Sequence, residues 1–451
     1  MDGGMGRGKR PASPGSLHPG LLPDEQRRRG SRLLPRHGER LPAVLGADKA
    51  DHRRGIFESL PMTGLTMIVG GTALALYAFA LYPALLGLRA RTRSRPIPAL
   101  PRDQVEAAEL PTLSISVTVY NEAHQIESLL RSLVTLDYPA ELRQILVISD
   151  GSTDGTDDIV REWEDRGVEL LRVEPRSGKT GAENASRAHL TGDIIVSTDA
   201  SARIHPGALI PLVRPFLDPR VGVTSGKDVS VTRHDHHANF GEARYVTYEM
   251  WVRDLETRAG GIVGASGSLY ATRARLHCTW LDPKLSRDFA SVLQARQGGQ
   301  VGISVSDALC YVPRTYSLGA EYRRKVRTIA GGMVTLWALR DAMNPLRHPG
   351  FAWRLFSHKV VRWLMPLAVA LVLAGLGLEA FDHAWALAVL LLVIGGIAAG
   401  MAEILAAGSK ARLPRALSIP FFFIFSNVAI VHGFFRALTG KSEGTWEPTR
   451  R

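Results

Sequence analysis

Residues 113–122 read Leu-Ser-Ile-Ser-Val-Thr-Val-Tyr-Asn-Glu, an alternation of apolar and polar residues rich in β-branched side chains, ending in a polar segment. Such alternation predicts a strand over Leu113–Val119. Further strands are predicted where short apolar runs recur, at Gln144–Ser149, Val168–Val173 and Asp193–Thr198. Helix-like segments separate these runs, and this β-α-β-α-β-α-β order predicts an α/β fold with a parallel sheet and right-handed crossovers.

Three helices are expected between these strands. Glu122–Leu133 carries apolar residues at helical spacing, and Ala182–Leu190 forms the third helix. Thr156 is expected to cap the second helix, because a threonine hydroxyl accepts hydrogen bonds from the first turn.

Polar clusters follow the predicted strands or lie between the helix-like segments. They are Asn121-Glu122, Asp150–Gly155, Gly178–Asn184, Asp199–Ser201 and, further along the chain, Arg287-Asp288. In open α/β sheets, ligands bind beyond the carboxyl ends of the strands, where such loops meet. The clusters therefore predict a site for an anionic, nucleotide-linked substrate. An ATPase phosphate loop is excluded, because that motif needs glycine five residues before Gly178, where the chain has Val173.

The composition changes along the 451 residues and divides the chain into four parts. Residues 1–61 are rich in Arg, Pro and Gly without apolar periodicity, and this composition predicts a disordered basic tail. Residues 62–88 are apolar and long enough to span a bilayer. Residues 89–345 form the central domain. Residues 346–451 hold about three further apolar segments, at 360–378, 384–405 and 417–435.

Basic residues orient the chain in a membrane. Residues 89–108 carry five Lys and Arg against three in residues 42–61, which favours a cytoplasmic central domain and a multi-pass protein of the cell membrane. Three C-terminal spans would leave the basic C-terminus outside, so one of those segments is either interfacial or re-entrant. The net charge of +12 lies mainly in the tail and the flanks of the apolar segments, which suits anionic lipid. Nucleic-acid binding is not expected, because no aromatic residues are interleaved with the basic ones in the tail.

With these clusters in this order, the central domain resembles a family 2 glycosyltransferase with the GT-A fold. Its arrangement between apolar segments is similar to that of synthases of hyaluronan, cellulose and poly-N-acetylglucosamine. The resemblance implies transfer of a sugar, with inversion, from a nucleotide-diphosphate donor, expected to be UDP-linked, to a lipid-linked or saccharide acceptor. The oligomeric state is left open.

The resemblance also assigns the donor site. It implies that Asn121, Glu122 and Asp150 bind the nucleotide, and that Lys179 contacts its diphosphate with Asn184 on the following helix. Two alternatives remain open from the residues alone. The alternative for Asp150 is that its side chain only stabilises its own Gly-Ser-Thr turn. The alternative for Lys179 is that its side chain is solvated and binds nothing.

A divalent cation, Mg²⁺ or Mn²⁺, is implied at Asp199 and Ser201. The family carries Asp-x-Asp here, and Ser201 replaces the second acid, so one neutral hydroxyl stands where a carboxylate is usual. Hard oxygen ligands and phosphates suit either ion.

Asp288 is implied as the general base that accepts the proton of the acceptor hydroxyl. Its neighbour Arg287 replaces an acid, and two effects are open: it lowers the pKa of Asp288, or it occupies that carboxylate in a salt bridge. Gly267 and Ser268 are expected on the acceptor side, where glycine permits close approach to the backbone.

Arg327 corresponds to the Arg of the Gln-x-x-Arg-Trp motif of processive synthases, but Arg324 and Thr328 replace its Gln and Trp. Arg327 is expected to neutralise the leaving diphosphate, and a basic interfacial helix on anionic lipid is the alternative. A processive exopolysaccharide synthase is the alternative function, and the absence of the Trp weakens the case for it. A catalytically inactive membrane scaffold with a GT-A fold is the alternative of another class, and a plain transporter is disfavoured because no charged pairs lie in the apolar segments.

Overall fold

The computed structural model describes residues 63–92, 110–231, 240–313, 318–406 and 418–440. The expected disordered tail, residues 1–61, lies outside these ranges. The basic C-terminal residues 441–451 lie outside them as well.

Eight strands form one mixed sheet in the order β3-β2-β1-β4-β7-β6-β8-β5. They are β1 Leu113–Val119, β2 Arg143–Ser149, β3 Val168–Arg172, β4 Ile194–Asp199, β5 Arg203–Ile204, β6 Val221–Val231, β7 Leu269–Arg273 and β8 Val301–Pro313. The first four strands are parallel, so the four strands predicted from the sequence and their parallel pairing are confirmed. The sheet register pairs Val119 with Ser149 and Thr118 with Asp199, which brings the carboxyl ends of three strands to one edge.

In the other half of the sheet, strands β7 and β5 run opposite to β1–β4. Strand β7 runs antiparallel to both β4 and β6, whereas β6 and β8 are parallel to each other. Strand β1 is buried along its whole length, including its serine and threonine side chains, because elements cover both faces. Ser114 is satisfied there by a 2.6 Å hydrogen bond to Gln144.

Helices of the central domain pack on this sheet. They are α2 Ile126–Val134, α3 Thr156–Arg161, α4 Lys179–Ala185, α5 Leu209–Val213, α6 Phe240–Ala259, α7 Ala274–His277, α8 Arg287–Gln297 and α9 Leu318–Ala338. Helix α2 buries Ile126, Leu129, Leu130 and Leu133, the helically spaced residues of the prediction. The expected cap at Thr156 is wrong: Gly155, at φ 87°, is the capping position, and Thr156 begins the helix. The Thr156 hydroxyl instead accepts from the Glu122 amide at 2.9 Å.

Apolar helices flank the domain. They are α1 Thr63–Thr92, α10 Pro349–Trp363, α11 Met365–Glu379, α12 Ala384–Ala406 and α13 Ser418–Leu438. Within the described ranges, α1 is the one helix long and apolar enough to cross a bilayer, and α10 with α11, bent by 52°, qualifies as a second if the pair is counted together. The apolar stretches in α12 and α13 are shorter. The predicted number of spans therefore stays a prediction.

Small residues let α1 and α11 pack closely. A Cβ atom at Gly71 would lie 2.5 Å from the Ala368 carbonyl, and one at Gly375 would lie 2.5 Å from the Gly64 carbonyl. Close backbone approach at small residues is how helices associate in lipid, where burial of apolar surface contributes little.

Candidate active site

The loops after β1 and β2 interlock at the carboxyl edge of the sheet. Asn121 has a positive φ of 53°, a conformation that Asn tolerates better than most residues. Its Oδ1 accepts from the Thr153 amide at 2.7 Å, and its own amide donates to Ser152 at 3.1 Å. Glu122, the other predicted nucleotide ligand in this loop, is buried. Asn121 and Glu122 thus hold the loops after β1 and β2 together at the predicted nucleotide site.

Asp150 is fully buried and holds the loop that begins α4. Its Oδ1 accepts from the Ser177 amide at 2.7 Å, and its Oδ2 accepts from the Gly178 amide at 2.9 Å. The carboxylate therefore does not merely stabilise its own turn. It joins the β2 loop to the loop that carries Lys179.

Arg176 and Tyr120 form a further part of this edge that sequence reasoning missed. The guanidinium of Arg176 lies 3.5 Å from the centre of the Tyr120 ring. A flat cation stacked on an aromatic ring offers a planar surface of the kind on which bases stack. The adjacency of Tyr120 to Asn121 was the available signal, but nothing in the sequence placed Arg176 over it.

Lys179 and Asp199, which the sequence assigned separately to the donor, meet in the structure. Lys179 Nζ lies 2.7 Å from Asp199 Oδ1, and about a third of each side chain is exposed (33% and 36%). Burial opposes the charged ammonium, but the carboxylates of Asp199 and Glu183 outweigh it and raise the pKa of Lys179 above its usual value. The Lys179 side chain is therefore an ammonium at neutral pH and lies beside Asp199.

Arg287 bonds away from its neighbour Asp288. Its Nε donates to Glu183 at 3.0 Å and its Nη2 to Asn184 Oδ1 at 2.6 Å, and both members of the Arg287–Glu183 pair are 2% exposed. The expectation that Arg287 lowers the pKa of Asp288 is wrong, and so is the alternative that it occupies that carboxylate. The Arg287 side chain instead points to α4 and forms its ion pair with Glu183.

Asn184 is committed to the same buried cluster. Its Nδ2 donates to the Leu281 carbonyl at 2.6 Å, and its Oδ1 accepts from the Leu281 amide at 3.1 Å as well as from Arg287. Asn184, which was predicted to bind the sugar donor, therefore directs its side-chain amide to other protein groups. Its hydrogen bonds hold the segment around Leu281 that leads to α8.

Asp288 lies in the first turn of α8, beside the predicted acceptor segment. A Cβ atom at Gly267 would lie 3.3 Å from Asp288 Oδ2, so glycine leaves room against the carboxylate. Burial raises the pKa of Asp288, while Lys179, the Phe289 amide and Lys359 act in the opposite direction. A carboxylate with a raised pKa is a stronger base once ionised.

The acceptor segment is fixed from β6. The Ser266 amide donates to Ser225 Oγ at 2.9 Å, and Ser266 Oγ donates to Asp228 at 2.6 Å. The Ser268 carbonyl accepts from Thr198 on β4 at 2.7 Å. Gly267, between these anchors, is therefore held against Asp288.

The protein donors fit a divalent cation only in part. Among the described residues no three His, Cys, Asp or Glu side chains cluster to hold a metal. Asp199 supplies one carboxylate and the nearby buried Ser201 one hydroxyl, both hard oxygen donors. This set suits Mg²⁺ or Mn²⁺ if phosphate oxygens and water complete the coordination, as these ions commonly require.

Arg327 lies on α9, which contacts the loop before Asp288. A Cβ atom at Gly331, one turn beyond Arg327, would lie 2.9 Å from Ser286 Oγ. Arg324, in the same motif, pairs with Glu321. Helix α9 also packs on α13, where a Cβ at Gly433 would lie 2.8 Å from Ile329. The helix thus joins the catalytic edge to the apolar helices.

Two family models match the sequence. Glycosyl transferase family 2 matches residues 114–267, and Glycosyl transferase family group 2 matches residues 194–405. Together the matches run from β1 into α12 and include every residue of the site described above.

Curated relatives match parts of the chain. The beta-monoglucosyldiacylglycerol synthase of Nostoc sp. is 30% identical over 158 residues, which are 34% of this chain and 34% of the relative. The chain thus matches about a third of that relative's length. The poly-beta-1,6-N-acetyl-D-glucosamine synthase of Staphylococcus aureus is 22% identical over 279 residues, 61% of this chain and 67% of the relative.

A solved structure shares the fold. The mannosyltransferase PcManGT of Pyrobaculum calidifontis, determined with GDP-Man and Mn²⁺, superposes with a TM-score of 0.61 at 22% identity. The match covers 83% of this chain and 99% of that structure. The predicted α/β architecture, with its sheet of the GT-A type, is thereby confirmed.

Proposed function

The chain belongs to the family 2 glycosyltransferases, and from this membership and the site geometry we propose that it is a membrane-bound, inverting transferase for a nucleotide-diphosphate sugar. The observation that carries the proposal is the convergence of Asp288, Gly267 and the Lys179–Asp199 pair at the carboxyl edge of the sheet. A base, an acceptor-side gap and a cation for phosphate are the three requirements of the reaction.

Asp288 accepts the proton from the acceptor hydroxyl as that oxygen attacks the anomeric carbon. The bond between that carbon and the diphosphate oxygen breaks, and the nucleoside diphosphate leaves with its bonding electrons. Attack from the side opposite the leaving group inverts the anomeric centre. The absence of an Arg287 bond to Asp288 supports this role, because the carboxylate is available to the acceptor.

Positive charge stabilises the departing diphosphate. Lys179, beside Asp199, supplies one such charge, and Arg327 on α9 is the second cation that we assign to this role. A divalent cation, when bound at Asp199 and Ser201, supplies further charge neutralisation. The presence of Mn²⁺ with GDP-Man in the mannosyltransferase structure is consistent with such an ion.

The donor's nucleotide occupies the edge formed by Asn121, Glu122 and Asp150, with the Arg176–Tyr120 stack beside it. We expect a UDP-sugar. Asn184 does not contact the donor in this proposal. It positions neighbouring residues, because its side-chain amide bonds to Leu281 and Arg287.

Helix α1 and the bent pair α10–α11 anchor the chain in the cell membrane, with the catalytic domain, residues 89–345, on the cytoplasmic side. The acceptor is lipid-linked or a saccharide. The names of the two relatives point to one of each, a diacylglycerol-based lipid and a poly-N-acetylglucosamine. A processive exopolysaccharide synthase is the second candidate, although Thr328 replaces the stacking Trp and Arg324 is paired with Glu321.

The test is nucleotide release by the purified full chain, offered a panel of UDP- and GDP-sugars with Mg²⁺ or Mn²⁺. We expect release from one donor class, and Asp288→Asn is expected to abolish it while leaving donor binding intact. Absence of release from every donor would favour the inactive scaffold. Long polymeric product from one enzyme molecule would favour the processive synthase.

A further inference from the structure

Lys359 reaches the acceptor side of the site from outside the catalytic domain. It lies in the π-helical turn Phe356–Val360 of α10. A Cβ atom at Gly264 would lie 3.6 Å from its Nζ, and Nζ is 5.6 Å from the centre of the Phe289 ring, next to Asp288. Single π-helical turns frequently occur at functional sites.

The other basic side chains where α10 packs against α6 already have acidic or carbonyl partners. Arg362 pairs with Glu249 at 2.7 Å, and Arg253 lies 3.4 Å from the same acid. Arg354 donates to the backbone carbonyls of residues 259 and 260. Within the described ranges, the Lys359 ammonium has no carboxylate or carbonyl partner, and its side chain is partly exposed.

The local charge is unbalanced. The cluster holds four basic side chains, Arg253, Arg354, Lys359 and Arg362, against two acids, Glu249 and Glu256. The positive excess remains when Asp288, which lies near Lys359 at the site, is counted as a third acid. His358 lies between the acids, 2.9 Å from Glu249 and 2.6 Å from Glu256. A partly buried excess of positive charge is favourable when a ligand brings the missing anion.

We infer that Lys359 binds an anionic, phosphate-class group on the acceptor, and that the acceptor is therefore a phosphate-bearing lipid. The inference rests on the proposed transfer reaction, and it names the acceptor class of that site. Lys359 lies next to Gly264 and Asp288 next to Gly267 of the same short segment, so the two side chains can hold the anionic group and the attacking oxygen of one molecule.

An apolar groove supports the lipid source of that phosphate. It has a volume of about 560 Å³, within the range of ligand pockets, and is lined by α11, α12 and α13. Asn427 and His432 are its polar residues, and His432 contacts Tyr322 on α9 at 3.1 Å. Pro366, one of the residues that line the groove, follows Lys359 by seven residues, across the bend between α10 and α11.

The experiment measures binding to the purified full chain in a non-ionic detergent by isothermal titration calorimetry. The probes are dodecyl phosphate, dodecanol and inorganic phosphate. We expect dodecyl phosphate to bind at least tenfold more tightly than either other probe. Lys359→Met should remove its advantage over dodecanol, Lys359→Arg should retain most of it, and the exposed control Lys284→Met should leave it unchanged. Ala370→Trp, which fills the groove, should weaken dodecyl phosphate but not inorganic phosphate.

Equal affinity for dodecyl phosphate and dodecanol, or a preference that survives Lys359→Met, overturns the inference. Inorganic phosphate that binds as tightly as dodecyl phosphate overturns the lipid source. Nucleotide release without acceptor is measured in parallel. Its loss in Lys359→Met, at a pH well above the acid limb of the activity profile, would assign the lysine to the donor and overturn the inference. Absence of release in the unaltered chain, with the binding preference intact, defeats only the proposed reaction.

Discussion

Arg287 pairs with Glu183, 104 positions earlier in the chain, and turns away from its neighbour Asp288. Both side chains of the pair are almost fully buried, with Nε 3.0 Å from Oε2. The pair joins α4, which carries Lys179, to α8, which carries Asp288. The spacing of the two helices that carry these proposed catalytic and donor-binding residues therefore depends on the pair.

Removing one partner leaves the other charge buried without compensation. We expect Glu183→Gln to destabilise the fold by about 3 kcal/mol or more, because breaking a buried ion pair typically costs 3–5 kcal/mol. Chemical denaturation of the purified chain measures the change. Glu127→Gln, which breaks the exposed Glu127–Arg131 pair, is the matched control and should change stability by about 0.5 kcal/mol or less. Equal effects of the two substitutions would contradict a structural role for the buried pair.

The raised pKa of Asp288 sets the acid side of the activity profile. Burial favours the neutral acid, and Lys179 and Lys359 only partly restore the carboxylate. The base acts ionised, so activity should fall as the pH drops through this pKa, which lies above the ordinary aspartate value of about 3.9. The pH dependence of kcat for nucleotide release, measured with donor saturating, checks this. In Lys359→Met the acid limb should move to higher pH, because a neighbouring cation is lost, and a shift to lower pH would contradict the placement.

Lys179 should act on the leaving group rather than on stability. Lys179→Met removes the charge that faces the diphosphate, and we expect kcat for sugar transfer to fall by roughly 10²-fold, as for loss of one electrostatic donor in other enzymes. Lys179→Arg keeps the charge and should retain more activity. The thermal midpoint should change little, since the Lys179–Asp199 pair is a third exposed. Large unfolding in Lys179→Met with normal turnover of the remaining folded enzyme would contradict a catalytic role.

The sequence was sufficient for features determined by local pattern. Strands β1–β4 and their parallel pairing follow from apolar runs and turn residues. Asp150 and Asp199 lie at strand ends, where parallel sheets place their loops, and Lys179 begins the helix after β3. Strands β6–β8 and the reversed direction of β7 were not predicted, because pairing between segments joined by long connections carries no local signal.

The partners of charged residues were less accessible from the sequence. Adjacency suggested an interaction of Arg287 with Asp288, yet helix α8 points the two side chains in different directions. Lys359 directly precedes the apolar segment 360–378 and carries no motif, and only the packing of α10 against Gly264 brings it to the site. Such contacts between positions about 100 residues apart are fixed by the tertiary structure.

Gly267 tests the contact between the acceptor segment and the base. Its backbone φ is not in the left-handed region, so alanine can adopt the same conformation, but the new methyl group would lie 3.3 Å from Asp288 Oδ2. We expect Gly267→Ala to lower kcat/KM for the acceptor by about tenfold or more, because the methyl occupies space that the attacking hydroxyl needs and a misplacement of about 1 Å can cost 10²-fold. Acceptor-free nucleotide release and the KM for the donor should stay close to those of the unaltered chain. Gly70→Ala, at a helical glycine with open space around its Cβ position, is the matched control and should leave all three quantities unchanged. A Gly267→Ala enzyme that uses its acceptor normally would place the acceptor hydroxyl elsewhere, whereas an equal loss in acceptor-free release would mean that the methyl disturbs Asp288 or the donor rather than acceptor entry.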